Sequence, residues 1–127
     1  MKRVVLAIRN RLVLEAVTNA LKRAGFFVEK SSSQETERIL TLTNALAVTT
    51  LVMDVTRSGD GTFDMRMNTA REARRRNPEI KIALLCDNVS DESSAYKVKC
   101  AKEDGSIDAF FYESVPSDYL ADAIDAL

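Results

Sequence analysis

The stretch Val48-Thr49-Thr50-Leu51-Val52-Met53-Asp54-Val55 has the clearest strand pattern in this chain. It is apolar and rich in β-branched residues, and a loop of glycine and aspartate follows it at residues 58–61. An apolar run of this length, bounded by turn residues, is typical of a buried strand. We therefore predict a central strand at residues 48–55, with Asp54 near its carboxyl end.

Strand and helix patterns alternate on both sides of this stretch. Four further apolar runs predict strands at residues 3–8, 26–28, 80–86 and 107–112. Helical spacing predicts five helices, which begin after Asn10, near Ser31–Ser33 with Gln34 and Glu35 in a capping box, at Phe63, near Ser90 or Asp91, and at Pro116. Such alternation implies right-handed crossovers and a parallel sheet with helices on both faces. We expect one three-layer α/β domain over residues 1–127, with a doubly wound, five-stranded parallel sheet.

The composition excludes several functional classes. Its 18 basic and 19 acidic residues give a net charge of -1, and histidine is absent, which excludes histidine-based catalysis and histidine metal sites. The apolar run at residues 4–8 is far shorter than the ~20 residues that span a bilayer. Cys86 and Cys100 are too far apart for a redox or zinc motif. We expect a cytoplasmic protein that is no enzyme and binds neither nucleic acid nor membrane directly.

Charge is unevenly spread along the chain. Residues 1–30 hold seven basic and two acidic side chains, whereas residues 101–127 hold seven acids and one base, Lys102. This pattern has two interpretations. It can reflect two solvated helix faces of opposite charge, or a polarised surface that steers a partner. The arginines of residues 71–76 have no aromatic residues between them, which favours a solvated helix end over a nucleic-acid patch.

The candidate site residues are those at the carboxyl ends of the predicted strands, where doubly wound sheets bind ligands. These residues are Arg9, Asn10, Asp54, Thr56, Cys86, Asp87, Tyr112 and Glu113. Asp54 is the most distinctive, because it follows the apolar residues Leu51-Val52-Met53 and faces the crevice between strands. A carboxylate at this position can have a functional role, or it can simply cap the following loop.

The order of elements, together with Asp54 and Asn77-Pro78-x-Ile80-x-Ile82, resembles the receiver domain of bacterial response regulators in two-component signalling. The resemblance covers nearly the whole chain and implies a flavodoxin-like fold. It makes Asp54 the phosphoacceptor candidate, which a kinase histidine would modify. It also matches Asp60-Gly61 to the turn after the acceptor, Cys86 to the switch hydroxyl, and Phe110 or a neighbour to the aromatic switch partner.

Two departures from that family concern the charges around Asp54. The family's magnesium site needs an acidic pair after the first strand, because hard cations bind oxygen ligands, but Ile8 and Arg9 occupy this place. The family's lysine after the fifth strand falls at Tyr112 or Glu113. Phosphoryl transfer depends mainly on such charges and on positioning. The sequence thus favours an atypical receiver, or pseudo-receiver, without tight Mg²⁺ binding at Asp54.

Three functions stay open at this point. The first is a domain without cofactor that signals by contact with a histidine kinase or an output domain, and that can form a homodimer through residues 91–127. The second is a working phosphoacceptor in which Asp60 or Asp87 supplies a missing Mg²⁺ ligand beside Asp54. The third is a small nucleotide- or cofactor-binding protein, since the fold alone permits this function.

Arg9 is expected to replace the missing cation. It follows the first strand, whose end lies beside the end of the Asp54 strand in this layout. A guanidinium offers forked donors to a lone carboxylate. We therefore predict a salt bridge between Arg9 and Asp54, the alternative being that the Arg9 side chain extends into solvent.

Overall fold

Strands and helices alternate throughout residues 2–87 and 92–127, the parts of the chain that the computed structural model describes. The strands are β1 (Arg3–Ala7), β2 (Phe27–Lys30), β3 (Thr50–Asp54), β4 (Lys81–Cys86) and β5 (Ala109–Tyr112). The α-helices are α1 (Arg11–Arg23), α2 (Thr36–Ala45), α3 (Phe63–Arg76), α4 (Glu92–Glu103) and α5 (Ser117–Asp125). A 3₁₀ turn, Gly59–Gly61, precedes α3. In these described parts, no helix is long and apolar enough to cross a membrane.

The five strands form one parallel sheet in the order β2-β1-β3-β4-β5. Ala7 of β1 pairs with Met53 of β3, and Asp54 pairs with Leu85 of β4. The predicted doubly wound, five-stranded parallel sheet is confirmed. Because β1 and β3 are neighbours, the loop after β1 lies directly beside Asp54.

Helices bury both faces of the sheet. On one face, Leu51 and Met53 of β3 pack in a core with residues of α2, α3 and α4, including Met67. On the other face, Leu6 and Val52 pack with residues of α1 and α5. All five residues of β3 are buried. The strand with the clearest apolar pattern is therefore the centre of both cores.

The element boundaries differ from the predicted ones at several places. The structure starts β3 at Thr50 and β5 at Ala109, later than predicted, because the apolar residues before them are buried without joining the sheet. The predicted capping box before α2 is absent: Glu35 makes no side-chain cap bond, and its own N–H donates to Ser33 Oγ. The predicted caps of α4, Ser90 and Asp91, lie outside the described residues.

Other predicted helix ends are confirmed. The side chain of Asn10 caps α1 by accepting the N–H groups of Leu12 and Val13, at 3.0 and 3.3 Å. Gly25 follows the end of α1 with a φ of +93°, a conformation that favours glycine. The first strand, the first helix and the turn after it thus follow from local sequence.

Much of the uneven charge is paired within the molecule. Lys2 lies 3.0 Å from Asp125, and Arg23 lies 2.9 Å from Asp118, so the basic start of the chain is joined to α5. The arginine cluster at the end of α3 is also paired, as Arg74–Asp108, Arg75–Glu72 and Arg76–Glu37. These pairs favour the interpretation of solvated, internally compensated helix faces.

Among the acids of these pairs, Asp108 is the one whose removal we expect to destabilise the fold. Its carboxylate accepts the Ile82 N–H at 2.8 Å as well as the Arg74 guanidinium. Asp108→Ala removes both bonds and should lower the free energy of unfolding by about 1–3 kcal/mol in urea denaturation. Asp125→Ala, which removes an acid from an exposed pair, is the matched control and should cost about 0.5 kcal/mol or less. Equal losses in the two variants would contradict the structural role of Asp108.

Candidate functional site

Asp54 ends β3 with its side chain turned into the protein. It is 1% exposed. Its Oδ2 accepts the backbone N–H of Arg9 at 2.9 Å and that of Asn10 at 3.4 Å, so the loop after β1 closes over one carboxylate oxygen. These bonds follow from the adjacency of β1 and β3 in the sheet.

The other oxygen of Asp54 is bound by an arginine from α3. Nη2 of Arg66 lies 3.0 Å from Asp54 Oδ1, and both side chains are almost fully buried. Nε of Arg66 donates to the Asp54 carbonyl at 2.7 Å, while Nη2 also lies 3.0 Å from the Ala7 carbonyl and 2.6 Å from Gln34 Oε1. Arg66 therefore connects β1, β3, α3 and the segment before α2.

The predicted salt bridge between Arg9 and Asp54 is wrong. Arg9 contacts Asp54 through its backbone N–H alone, and its exposed guanidinium donates to the Ser58 carbonyl at 3.4 Å. A cation does bind Asp54, but it is Arg66. One signal in the sequence marks this residue: Arg66 is four residues before Ala70 and seven before Ala73, so it lies on the apolar face of α3.

The Arg66 guanidinium keeps its positive charge although it is buried. Burial lowers the pKa of the Arg66 guanidinium, and the negative charge of Asp54 opposes this effect. Arginine starts from a pKa so high that it stays protonated in proteins. Among the described residues, Nη1 of Arg66 is a buried donor without a partner. The pair is thus essential to the folded state once Arg66 is buried, because either charge alone would be uncompensated.

A tight loop closes the site beyond β3. Thr56 donates its N–H to the Gly61 carbonyl at 2.8 Å and its hydroxyl to the Ser58 carbonyl at 3.1 Å. A Cβ on Gly61 would collide with Thr56 Oγ1, so only glycine permits this approach. Asp60, within this loop, is exposed. The loop packs Thr56 into the site and leaves Asp60 at the surface.

The carboxyl ends of β4 and β5 lie on the side of β3 away from β1. Cys86 is buried, and its thiol donates to the Phe111 carbonyl at 3.7 Å. The rings of Tyr112 and Phe110 meet edge to face, 5.8 Å apart. The N–H of Glu113 donates to the Cys86 carbonyl at 3.0 Å. A thiol and two aromatic rings therefore lie at the carboxyl ends of β4 and β5.

Glu113 gives this side of the crevice a negative charge. Its burial raises the pKa of the Glu113 carboxyl, and the negative charges of Asp54 and Asp87 raise this pKa further. Asp87 is half-buried directly after β4. A carboxylate in a negative environment thus follows β5 directly.

A magnesium site does not fit this arrangement. Hard divalent cations need several oxygen ligands around one point. Within residues 2–87 and 92–127, no group of three or more histidine, cysteine, aspartate or glutamate side chains could hold a metal ion. The carboxylate of Asp54 is bound on both oxygens by N–H donors, and Asp60 is exposed. Among the described residues, Asp54, Asp60 and Asp87 are not brought together into such a group.

Comparison with known proteins identifies the architecture. Neither a family model nor a curated protein matches the sequence. Among solved structures, a CheY-like response regulator receiver domain protein from Methanospirillum hungatei JF-1 is 17% identical, with a TM-score of 0.74 over 99% of this chain and 92% of that chain. The fold is that of response-regulator receiver domains.

Two further solved structures share this receiver fold. The response regulator TrrA from Thermotoga maritima, in complex with Mg²⁺-BeF, is 18% identical, with a TM-score of 0.74 over 99% of this chain and 98% of that chain. An orphan response regulator of H. pylori is 17% identical, with a TM-score of 0.72 over 98% and 94% of the two chains. The resemblance inferred from the order of elements is confirmed at the level of the fold.

Removing Arg66 should destabilise the protein severely. Arg66→Met leaves Asp54 as a buried, unpaired charge, and we expect it to lower the free energy of unfolding by about 3–5 kcal/mol in urea denaturation. Adding Asp54→Asn in that background should recover part of the loss, because the amide carries no charge.

The matched control is Arg71→Met in the same helix. Arg71 is exposed, so its loss should change the free energy of unfolding by about 0.5 kcal/mol or less. A loss below about 1 kcal/mol in Arg66→Met would contradict the importance of the pair.

Glu113 should make stability depend on pH. The pKa of the Glu113 carboxyl is higher in the folded protein than in the unfolded chain, so the folded state binds more protons. The contribution of Glu113 to the free energy of unfolding therefore falls as the pH rises through this raised pKa. Glu113→Gln should therefore stabilise the protein at pH 7, and the gain should vanish near about pH 4, close to the unfolded pKa.

Urea midpoints measured from pH 4 to 8 test the role of Glu113. Glu79→Gln removes an exposed carboxylate far from the crevice and is the control. A gain from Glu113→Gln that does not change with pH would rule out the proposed environment of this carboxyl group.

Proposed function

We propose that this chain is a receiver-like module of two-component signalling that acts through protein contacts and does not take a phosphoryl group on Asp54. The buried ion pair of Asp54 and Arg66 is the observation that carries this proposal. Both cysteines are free thiols, which agrees with a reducing compartment and supports a cytoplasmic location.

The chemistry of phosphorylation explains why this pair matters. An aspartate oxygen must attack phosphorus from an open site, and cations must balance the charge on the phosphoryl oxygens. Asp54 is 1% exposed, and its cation approaches from inside the protein, where no phosphoryl group has room. The acids Asp87 and Glu113 add repulsion on the outer side of the crevice. Arg66 thus binds the Asp54 carboxylate but does not assist phosphoryl transfer.

The segment 92–127 supports a role in protein contact. Tyr96 on α4 and Tyr119 on α5 are 68% and 61% exposed, and tyrosine is enriched at protein interfaces. Two of the acids of α5, Asp118 and Asp125, already pair with basic residues of the same chain. We propose that the tyrosines, more than the acidic excess, contact a kinase, an output domain or a second copy.

Treatment with acetyl phosphate and Mg²⁺, followed by intact-mass measurement, tests the proposal. The wild-type protein should gain no phosphoryl group under conditions that modify a phosphorylatable receiver domain in parallel. A gain that disappears in Asp54→Asn would overturn the proposal and establish the phosphoacceptor function. A gain that persists in Asp54→Asn comes from another residue and leaves Asp54 unmodified, as proposed.

A further inference from the structure

A cavity of about 670 Å³ lies at the carboxyl ends of β1 and β2, on the side of β1 away from β3. The loops after these two strands and the first turns of α1 form its walls. Its polar lining consists of Arg9, Arg11, Glu15, Lys30, Ser32 and Gln34, with Ser31 beside them. This volume lies within the ~300–1,000 Å³ typical of small-molecule sites.

The lining is strongly cationic. Arg11 and Lys30 contribute two positive charges against the single carboxylate of Glu15, and Arg9 also lines the cavity, with its guanidinium bound to the Ser58 carbonyl after β3. In the described part of the chain, none of these three cations forms a salt bridge, whereas Lys2 before β1 and Arg23 at the end of α1 do. The basic excess of residues 1–30 is thus compensated at the amino ends of the strands and left uncompensated in this cavity.

Neutral groups of the cavity add to its preference for anions. The amino-terminal end of α1 begins at Arg11, and the partial positive charge of a helix start favours anions. Ser32 brings a hydroxyl to the lining. Gln34 lines the cavity while its Oε1 accepts from Arg66, so one wall of the cavity contacts the buried pair.

We propose that this cavity binds a small anion that carries two or more phosphoryl groups. The cations of Arg11 and Lys30, with Arg9 beside them, match a multiply charged ligand better than a singly charged one, and guanidinium groups suit phosphoryl oxygens. The lining residues include no aromatic side chain on which a base could stack. The proposal concerns reversible binding away from Asp54, and it holds whether or not Asp54 is phosphorylated.

Calorimetric titration with inorganic pyrophosphate at constant ionic strength tests this site. The wild-type protein should bind one equivalent saturably. Arg11→Gln and Lys30→Gln should each weaken binding about fivefold, the effect of losing one partly exposed ion pair. Lys22→Gln removes an exposed cation at the far end of α1 and should leave the affinity within about twofold.

Comparison ligands distinguish specific binding in this cavity from nonspecific electrostatic attraction. Sulfate at the same ionic strength should bind more weakly than pyrophosphate, because it offers fewer charged oxygens. Absence of saturable binding, equal weakening by Lys22→Gln, or equal affinity for sulfate would overturn the proposal. A poly-glutamate peptide that binds more tightly than pyrophosphate, with the same sensitivity to Arg11→Gln, would also overturn it and indicate a protein partner.

Discussion

A charge buried in a protein core must be neutralised where it lies, and Arg66 imposes this constraint on the centre of the molecule. Its guanidinium is fully buried on α3 and binds the carboxylate and carbonyl of Asp54 together with the Ala7 carbonyl. Removing one partner of a buried ion pair lowers the free energy of unfolding far more than replacing both partners by apolar side chains. The ends of β1 and β3, and the turn of α3 above them, are therefore held in one arrangement.

This constraint determines the electrostatics of the crevice. A carboxylate that is satisfied from inside the protein has no need of a metal ion or lysine outside it. Glu113 accordingly occupies the outer side, where Asp54 and Asp87 raise its pKa. The receiver fold is retained around an ion pair that neutralises Asp54 from within the protein.

The remaining charges divide between the two ends of the strands. At the amino ends, Lys2 and Arg23 pair with acids of α5. At the carboxyl ends of β1 and β2, Arg9, Arg11 and Lys30 line a cavity without such partners. Exposed pairs contribute little stability, so their importance is the cancellation of charge. The net charge of -1 conceals this division.

The order of elements and the parallel sheet followed from the sequence alone, because apolar periodicity and caps such as Asn10 and Gly25 act over a few residues. The position of Asp54 at the end of a buried strand followed in the same way. Its cation did not: Arg9 and Arg66 both come from elements beside β3, and only packing decides which side chain turns inward. Arg9 follows β1 in an exposed loop, whereas Arg66 lies on the face of α3 that the sheet buries. The choice of partner is a tertiary property, since the contact depends on how α3 packs against the neighbouring ends of β1 and β3.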